Sequence, residues 1–543
     1  MKINDLILLL LRWVSILLRT IYLFFPSLFF LLLATFVFCS LSQGQDMIRL
    51  CLSSGRLAGL AFTVAIVFWV FVTWYTARLV AYNHDDLYNA QYTGAATSKP
   101  LKIGKDMLFH FPRLMAFSIF LIMILAILRF DHVGIRNNWV WLGGIFLDFL
   151  VYAILHWIAI KLQIFAVSSS RQKLLIRLRT LCWVLIICTS ALAVIFWKIN
   201  HRWLIIATLI CCQICFLFLI VTRKCVVSYQ NSQTGVHHFF MQGYLDWVLD
   251  RTSGNRATTM QSAADTEQFV FVLFNIFAIV GGTVYALCVL VLPVALAITP
   301  VPLLFLAFGV LLGMGNFVSL LSHRRGINIH FLIVTLIVIV GFFTEPHWAR
   351  SIKDTKVNYS QRMDLDSYMH AWLHQPGRAE KITGSTHYPV FIVLADGGAS
   401  RSGYWTALVL SHLTAKTAAG AEPFLDHLLC LSGASGGSVG HATFLAALAH
   451  PELRKEEISR LDTVTTNFLG HDFLSFTIAR MLGPDLAASI FAPIIGDRAA
   501  ALEESIEHAA PDNPLSYDMQ HGFSRFVPHA NDSFLFPIVC FNT

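Results

Sequence analysis

Long apolar stretches recur through the first two thirds of the chain, and they constrain its fold more than any other feature. A helix needs about 20 apolar residues to cross the roughly 30 Å hydrocarbon core of a bilayer. The stretches predict about nine membrane-spanning helices, which form an N-terminal helical region over residues 1–343. They lie at about 21–41, 58–80, 111–130, 139–161, 181–197, 203–222, 269–291, 300–321 and 329–344.

The composition fits an integral membrane protein and excludes a nucleic-acid-binding one. Hydrophobic residues make up 56% of the chain and charged residues 13%, whereas a soluble protein has about 25% charged residues. The net charge is +7, and the Lys and Arg residues flank apolar runs, as juxtamembrane residues do. Most cysteines lie within apolar runs, so we expect neither a disulfide framework nor a metal site. Membrane lipids are the expected partners.

Basic residues also predict an orientation. They gather in the loops at 78–113 and 161–179, at Arg223–Lys224 and at Arg324–Arg325. Because basic loops stay in the cytoplasm, the N-terminus is predicted to be cytoplasmic. Nine spans would put the segment after Phe343 on the opposite side, whereas eight or ten would leave it in the cytoplasm.

Two ionisable residues, Asp148 and His156, fall within the fourth apolar stretch, on roughly the same side of a helix. Ionisable groups inside a membrane often mark a functional site. A polar pair with partners inside the bundle is the simpler interpretation, and the sequence leaves the functional one open beside it.

Beyond the last apolar stretch, charged residues, Pro and Gly return. Residues 344–387 are predicted to form a helical connector that includes Met363–Leu373, and an α/β domain is predicted over residues 388–543. The apolar stretch Phe468–Ile495 within this domain has two interpretations: helices that cover an active site and face the bilayer, or ordinary core helices.

The domain begins with a predicted strand, Pro389–Ala395, and a glycine-rich turn. A helix is predicted from about Tyr404 to Lys416. Glycines let backbone N–H groups converge, and a helix N-terminus favours an anion. The turn alone fits an oxyanion hole, a phosphate loop or a simple tight turn. Its sequence is Asp396-Gly397-Gly398-Ala399-Ser400-Arg401-Ser402-Gly403.

A second strand–turn–helix unit follows, with a strand at Leu428–Ser432 and a helix through about His450. The turn matches G-x-S-x-G, the nucleophile elbow that exposes a serine hydroxyl between a strand and a helix. It indicates Ser435 as a nucleophile, with the Gly436 N–H as an oxyanion donor. The alternative is a glycine turn with an incidental serine. The turn reads Gly433-Ala434-Ser435-Gly436-Gly437.

Together, the two turns resemble those of patatin-like phospholipases of the bacterial membrane-linked type, over residues 388 to 543. The family carries D-G-G-G-x-R-G after its first core strand and a G-x-S-x-G elbow downstream. Ala399 and Ser402 depart from that pattern. The resemblance implies a bacterial inner-membrane lipid acyl hydrolase that needs no metal or nucleotide cofactor. It implies these roles: Ser435 as nucleophile, Gly397 and Gly398 in the oxyanion hole, and Asp396, Arg401, Gly433 and Gly437 as structural residues of the turns.

The family's catalytic base is an aspartate in a later Asp-Gly-Gly or Asp-Gly-Ala turn. None of the aspartates after Ser435 is followed by either pair, and Phe536–Phe541 is predicted to be a core strand. We therefore expect the hydrolase domain to be incomplete at the C-terminus, and the chain as given to have little activity.

Two other functions remain open. One is an α/β-hydrolase triad of Ser435 with Asp497 and a histidine (His508, His521 or His529), which fits poorly with a glycine turn on the preceding strand. The other is a membrane sensor, channel or scaffold with a degenerate hydrolase head.

Overall fold

The chain divides into two compact units, one of which is discontinuous in sequence. The first unit comprises Met1–Pro346 together with Ile478–Arg498, and the second comprises His347–Thr477 together with Ala499–Thr543. The computed structural model describes residues 11, 14–15, 17–91, 99–129, 138–165, 169–223, 265–343, 363–487, 494–508, 510–520 and 534–542.

Eleven of the helices that the structure describes in the first unit, labelled in chain order, cover most of its apolar stretches. They are α1 (Phe25–Ser40), α2 (Ser42–Ser53), α3 (Arg56–Gln91), α4 (Lys99–Arg129), α5 (Asn138–Phe165), α6 (Ser169–Ile195), α7 (Arg202–Val221), α8 (Asp265–Leu290), α9 (Leu292–Ile298), α10 (Pro300–Arg325) and α11 (Ile329–Phe343).

Fewer helices than predicted are long and apolar enough to cross a membrane. Within the described residues there are 6, or up to 7 if the bent pair Leu17–Leu23 and Phe25–Ser40 forms one span. The prediction of about nine spans is therefore too high by this measure. All nine stretches are helical, but α11 has only 15 residues, and the apolar part of α5 counts only as the shorter Phe146–Ile158.

Aromatic side chains fill the interior of this helical unit. Trp69 on α3 stacks on Phe305 of α10, with ring centroids 5.5 Å apart. The Phe68 ring fits against two glycines: a methyl group added to Gly281 or Gly309 would lie 2.3 or 2.5 Å from ring atoms. The absence of those side chains lets α8 and α10 approach α3 closely.

The two ionisable residues of α5 each have partners in the bundle. The Asp148 carboxylate is 5% exposed and accepts hydrogen bonds from the Ser118 hydroxyl at 2.8 Å and the Gln213 amide at 3.0 Å. His156 Nε2 lies 3.4 Å from a guanidinium nitrogen of Arg113. Ser118 and Arg113 both belong to α4, so both ionisable residues face that helix.

The distant segment Ile478–Arg498 belongs to the first unit through contacts with α8. The Tyr285 hydroxyl donates to the carbonyl oxygen of Ala479 at 3.1 Å. Arg480 Nε donates to the carbonyl oxygen of Val289 at 3.3 Å. Part of the stretch Phe468–Ile495 therefore packs with the apolar helices.

The second unit contains a parallel three-stranded sheet with helices around it. The strand order is β1 (Phe391–Ala395), β2 (Leu428–Ala434), β3 (Ile538–Asn542), and β2 pairs with both neighbours. In chain order the helices are α12 (Leu365–Leu373), α13 (Arg378–Gly384), α14 (Ala399–Thr417), α15 (Phe424–His427), α16 (Gly436–Ala449), α17 (Pro451–Lys455), α18 (Leu461–Leu469), α19 (Leu474–Met481, whose residues from Ile478 on are assigned to the first unit), α20 (Arg498–His508) and α21 (Pro514–Met519).

The predicted connector packs as part of the second unit. Trp372 Nε1 donates to the carbonyl oxygen of Leu428 at 3.2 Å, at the start of β2. The Arg378 guanidinium lies 4.1 Å from the Trp372 ring centre and donates to the carbonyl oxygen of Asp426 at 2.7 Å. These contacts hold α12 and α13 against the amino ends of the strands, away from the carboxyl ends where the two glycine turns lie.

Candidate functional site

The two glycine-containing turns lie side by side at the carboxyl edge of the sheet. β1 and β2 run parallel and end together, with Ala395 paired with Gly433. Each strand is followed by a turn and a helix, α14 after β1 and α16 after β2. Ligand sites of parallel sheets form at this edge, because the loops there converge.

Ser435 has an unusual backbone conformation between β2 and α16. Its φ is 50° and its ψ is −122°, and its side chain is exposed. A non-glycine residue in such a region costs about 1–3 kcal/mol and persists only where its surroundings impose it. This is the local geometry of a nucleophile elbow, which holds a serine hydroxyl out from the sheet edge.

Close backbone contacts explain the glycines around Ser435. A methyl group added to Gly436 would lie 1.9 Å from the carbonyl oxygen of Ala399, and one added to Gly437 would lie 2.4 Å from that of Ala395. At Gly433 it would lie 2.7 Å from the Ser438 nitrogen. All three contacts are with backbone atoms, which cannot rotate aside.

The first glycine turn lies against the side chain of Ser435. A methyl group on Gly397 would be 3.2 Å from Ser435 Cβ and 3.9 Å from Oγ. Gly398 precedes the first residue of α14. The Asp396 carbonyl oxygen accepts a hydrogen bond from the Ser402 hydroxyl, which closes the turn. Arg401 lies in the first turn of α14 and is exposed.

Two helix N-termini meet at this site. α14 has 19 residues and α16 has 14, and neither has an acidic residue in its first turn. A helix N-terminus carries the equivalent of about half a positive charge. The combined field therefore favours negative charge beside Ser435. The predicted oxyanion residues Gly397, Gly398 and Gly436 all lie at these two N-termini.

A close crossing of α14 and α16 fixes the distance between the two turns, and the sequence analysis missed it. A methyl group on Gly440 would lie 2.5 Å from the carbonyl oxygen of Gly403. A methyl group on Gly403 would lie 3.0 Å from the carbonyl oxygen of Gly436. Gly440 inside one predicted helix and Gly403 directly before the other are the signal that could have revealed this crossing.

His441 is a further residue near the site that was not predicted from the sequence. It is fully buried on α16, and neither ring nitrogen has a hydrogen-bond partner among the described residues. Burial lowers the pKa of His441 to about 4, so the ring is neutral at pH 7. Its Nδ1 would lie 2.9 Å from a methyl group on Gly433, which places the ring directly behind the elbow.

The residues of the alternative Ser–Asp–His triad do not all belong to one unit. Asp497 belongs to the first unit, whereas Ser435 belongs to the second. His508 Nδ1 lies 3.2 Å from the carbonyl oxygen of Glu504 and 3.7 Å from the Glu507 carboxylate. His521 and His529 lie outside the described residues.

In the described part of the chain, no Asp, Glu or His side chain hydrogen-bonds to the Ser435 hydroxyl, and no group of three or more His, Cys, Asp or Glu residues could hold a metal ion.

No protein-family model, curated protein or solved structure matches the chain. The site must therefore be interpreted from its own residues.

Proposed function

We propose that the chain is a membrane-anchored serine acyl hydrolase of the patatin-like type, which cleaves lipid esters with Ser435 as nucleophile. The observation that carries the proposal is the backbone of Ser435, with φ 50° and an exposed side chain between a parallel strand and a helix. Strain of this kind clusters at active sites, where it forms part of the mechanism.

The reaction would begin when Ser435 Oγ attacks the ester carbonyl carbon of a lipid. The hydroxyl proton passes to a base, an aspartate in the family that the turns resemble. Backbone N–H groups of Gly397, Gly398 and Gly436 would stabilise the oxyanion, with the dipoles of α14 and α16 adding to their effect. Loss of the alcohol leaves an acyl-enzyme, which water hydrolyses to a carboxylic acid and free Ser435.

The helical unit supports lipids as the substrate class. The 6 or 7 candidate spans among its described residues would place the protein in a membrane, for which we propose the bacterial inner membrane. An enzyme with a soluble ester substrate needs no membrane anchor, whereas an enzyme that acts on bilayer lipids must be held at the membrane surface.

The test combines covalent labelling with turnover. The full-length gene product, in detergent or nanodiscs, is treated with a fluorophosphonate, which forms a bond only with an activated serine. We expect a label on the Ser435 peptide, and hydrolysis of phospholipid vesicles that Ser435→Ala abolishes. Ser438→Ala is the matched control, because the Ser438 hydroxyl is buried three residues away, and it should retain both.

A protein that neither labels at Ser435 nor turns over lipid would overturn the proposal. That result would favour the second candidate, a membrane sensor, channel or scaffold with a degenerate hydrolase head. The observation in favour of this candidate is that the described residues provide no base hydrogen-bonded to Ser435.

A further inference from the structure

A cavity of about 290 Å³ opens between α3, α8 and α10 in the first unit. Its walls are almost wholly apolar, with aromatic residues from all three helices, namely Phe68, Phe274 and Phe317. An apolar cavity of about 150 Å³ holds one benzene ring. This cavity therefore has room for about twice as many carbon atoms, the size of a medium-length alkyl chain.

Glycines create this space. Gly282 on α8 lines the cavity, and a methyl group added there would meet no atom within 4 Å. Gly309 lines the end of the cavity that Phe68 closes. The space is therefore open at Gly282, where a larger side chain would extend into it without striking backbone.

Two polar side chains, Thr76 and Asn316, border the cavity, and Asn316 is only 1% exposed. Its Nδ2 donates to the hydroxyls of Ser27 and Thr76, both at 2.8 Å. Thr76 in turn donates to the carbonyl oxygen of Val72 at 2.7 Å, so its hydroxyl must accept from the amide.

These two bonds use both N–H groups of Asn316 and fix the orientation of its carboxamide. The remaining atom, Oδ1, has no hydrogen-bond partner among the described residues. A buried acceptor is costly to leave unpaired. Oδ1 itself is covered by its neighbours, so a ligand O–H group would reach it from the cavity as those side chains shift, and would then supply the missing donor.

We propose that this cavity binds a single-chain lipid, an unbranched alkyl chain whose polar end carries an O–H group that donates to Asn316 Oδ1. The Gly309 end of the cavity lies about two turns of α10 from Asn316, roughly 10 Å away. The chain would run from Asn316 towards Phe68. The proposal rests on the membrane location stated above, because the bilayer then supplies the ligand at high local concentration.

Two lipids share this chemistry, a protonated fatty acid and a fatty alcohol. The fatty acid is also the product of the proposed reaction. A carboxylic acid in an apolar cavity keeps its proton, because burial disfavours the charged form. Both lipids offer one O–H donor and one alkyl chain, and a fatty acid methyl ester offers the chain without the donor.

The experiment uses a 12-carbon fatty acid with a diazirine at its tail, added to the full-length Ser435→Ala protein in nanodiscs so that turnover cannot consume competitors. We expect photolabelling of peptides around Phe68 and Gly309. Dodecanoic acid and dodecanol should compete, and methyl dodecanoate should compete about tenfold less well, because it cannot form the hydrogen bond.

Two variants test the cavity itself. Gly282→Leu fills the space and should reduce labelling about tenfold or more. Gly143→Leu is its matched control, because a methyl group on Gly143 of α5 also meets no atom within 4 Å, and it should leave labelling unchanged. Asn316→Leu should remove the advantage of dodecanoic acid and dodecanol over the methyl ester.

Equal labelling in the Gly282→Leu and Gly143→Leu proteins would overturn the proposal. So would equal competition by the acid and its methyl ester in the parent protein. Either result would leave the proposed function intact if the protein with Ser435 still hydrolyses lipid. Conversely, labelling that dodecanoic acid competes away, without any Ser435-dependent turnover, would support lipid binding in the cavity and contradict the proposed hydrolase function.

Discussion

At the scale of single residues, Ala399 stands where the patatin-like pattern has a third glycine, and its φ is 51°. A side chain at positive φ costs about 1–2 kcal/mol, whereas glycine adopts that conformation freely at some cost in entropy. We expect Ala399→Gly to stabilise α14 by roughly 0.5–1 kcal/mol. Hydrogen exchange of the α14 amides measures the change.

The control for this substitution lies in the same helix. Ala415→Gly, in the last turn of α14, should destabilise the helix by about 1 kcal/mol or less. Slower exchange in the first variant and faster exchange in the second is the expected pattern. If both variants exchange faster, the φ of Ala399 carries no strain that glycine relieves.

A second prediction concerns acid sensitivity at His441. Its folded pKa of about 4 lies below the ordinary value of 6.5, so between these values the unfolded chain binds the proton more readily. The stability contributed by the neutral, buried ring is present above pH 6.5 and is lost as pH falls towards 4. From pH 7 to pH 5 this loss is on the order of 2 kcal/mol.

Replacing the ring removes this dependence. We expect His441→Leu to lose about 2 kcal/mol less than the parent protein between pH 7 and pH 5, because the other titrating groups are common to both. Exchange of the α16 amides, corrected for the intrinsic pH dependence, gives the comparison. An identical loss in both proteins would show that His441 is charged or solvated in the folded state.

At the scale of elements, the stretch Phe468–Ile495 divides into buried and exposed parts. Phe468 and Phe476 are buried, as core helices require, whereas Leu486 is 50% exposed and Ile494 is 79% exposed. The bilayer-facing interpretation is therefore tested at the exposed pair. We expect Leu486→Asp with Ile494→Asp to reduce turnover of phospholipid vesicles about 100-fold or more, since the two side chains together contribute roughly 3–6 kcal/mol when they enter an apolar medium.

Turnover of a short soluble ester by the same double variant should stay near that of the parent. Leu365→Asp is the control, because Leu365 is also exposed, at 64%, and lies outside the stretch. Equal losses on vesicles and on the soluble ester would mean that the exposed pair supports the fold rather than the approach to lipid.

The elements also show what a single sequence can and cannot predict. The strands β1 and β2 and the Ser435 turn follow from apolar runs bounded by glycines, which are local signals. The start of α14 was predicted at Tyr404 but lies at Ala399, because Gly-Ala-Ser-Arg is typical of a loop. The burial of His441, with no hydrogen-bond partner among the described residues, could not be predicted, since it depends on residues that only the fold brings together. Gly403 and Gly440 were a signal for a close helix crossing, but their contact is likewise made only by the fold.

At the scale of the whole molecule, the number of spans decides the side on which the second unit lies. α11 has 15 residues, none of them buried, fewer than the roughly 20 that a span usually needs. Nine crossings result only if the bent pair and the two shorter apolar helices, Phe146–Ile158 and Ile329–Phe343, also span the membrane. We expect that number with a cytoplasmic N-terminus, because it keeps every basic loop in the cytoplasm. A reporter fused after residue 350 should then be active only on the side opposite the cytoplasm.

A control fusion after residue 326, in the basic loop that follows α10, should report from the cytoplasm. A cytoplasmic signal from both positions would mean that α11 lies along the membrane surface rather than across it.

The discontinuous first unit has a consequence for biosynthesis. The contacts of Tyr285 and Val289 with Ala479 and Arg480 join parts of the chain separated by the whole of His347–Thr477. At a translation rate of about 5–20 residues per second, the roughly 190 residues from Val289 to Arg480 take between about 10 and 38 s to emerge. During that interval the carboxyl end of α8 lacks its contacts with Ala479 and Arg480. Insertase or chaperone occupancy of that site on the ribosome-bound chain should therefore last until Arg480 has left the exit tunnel.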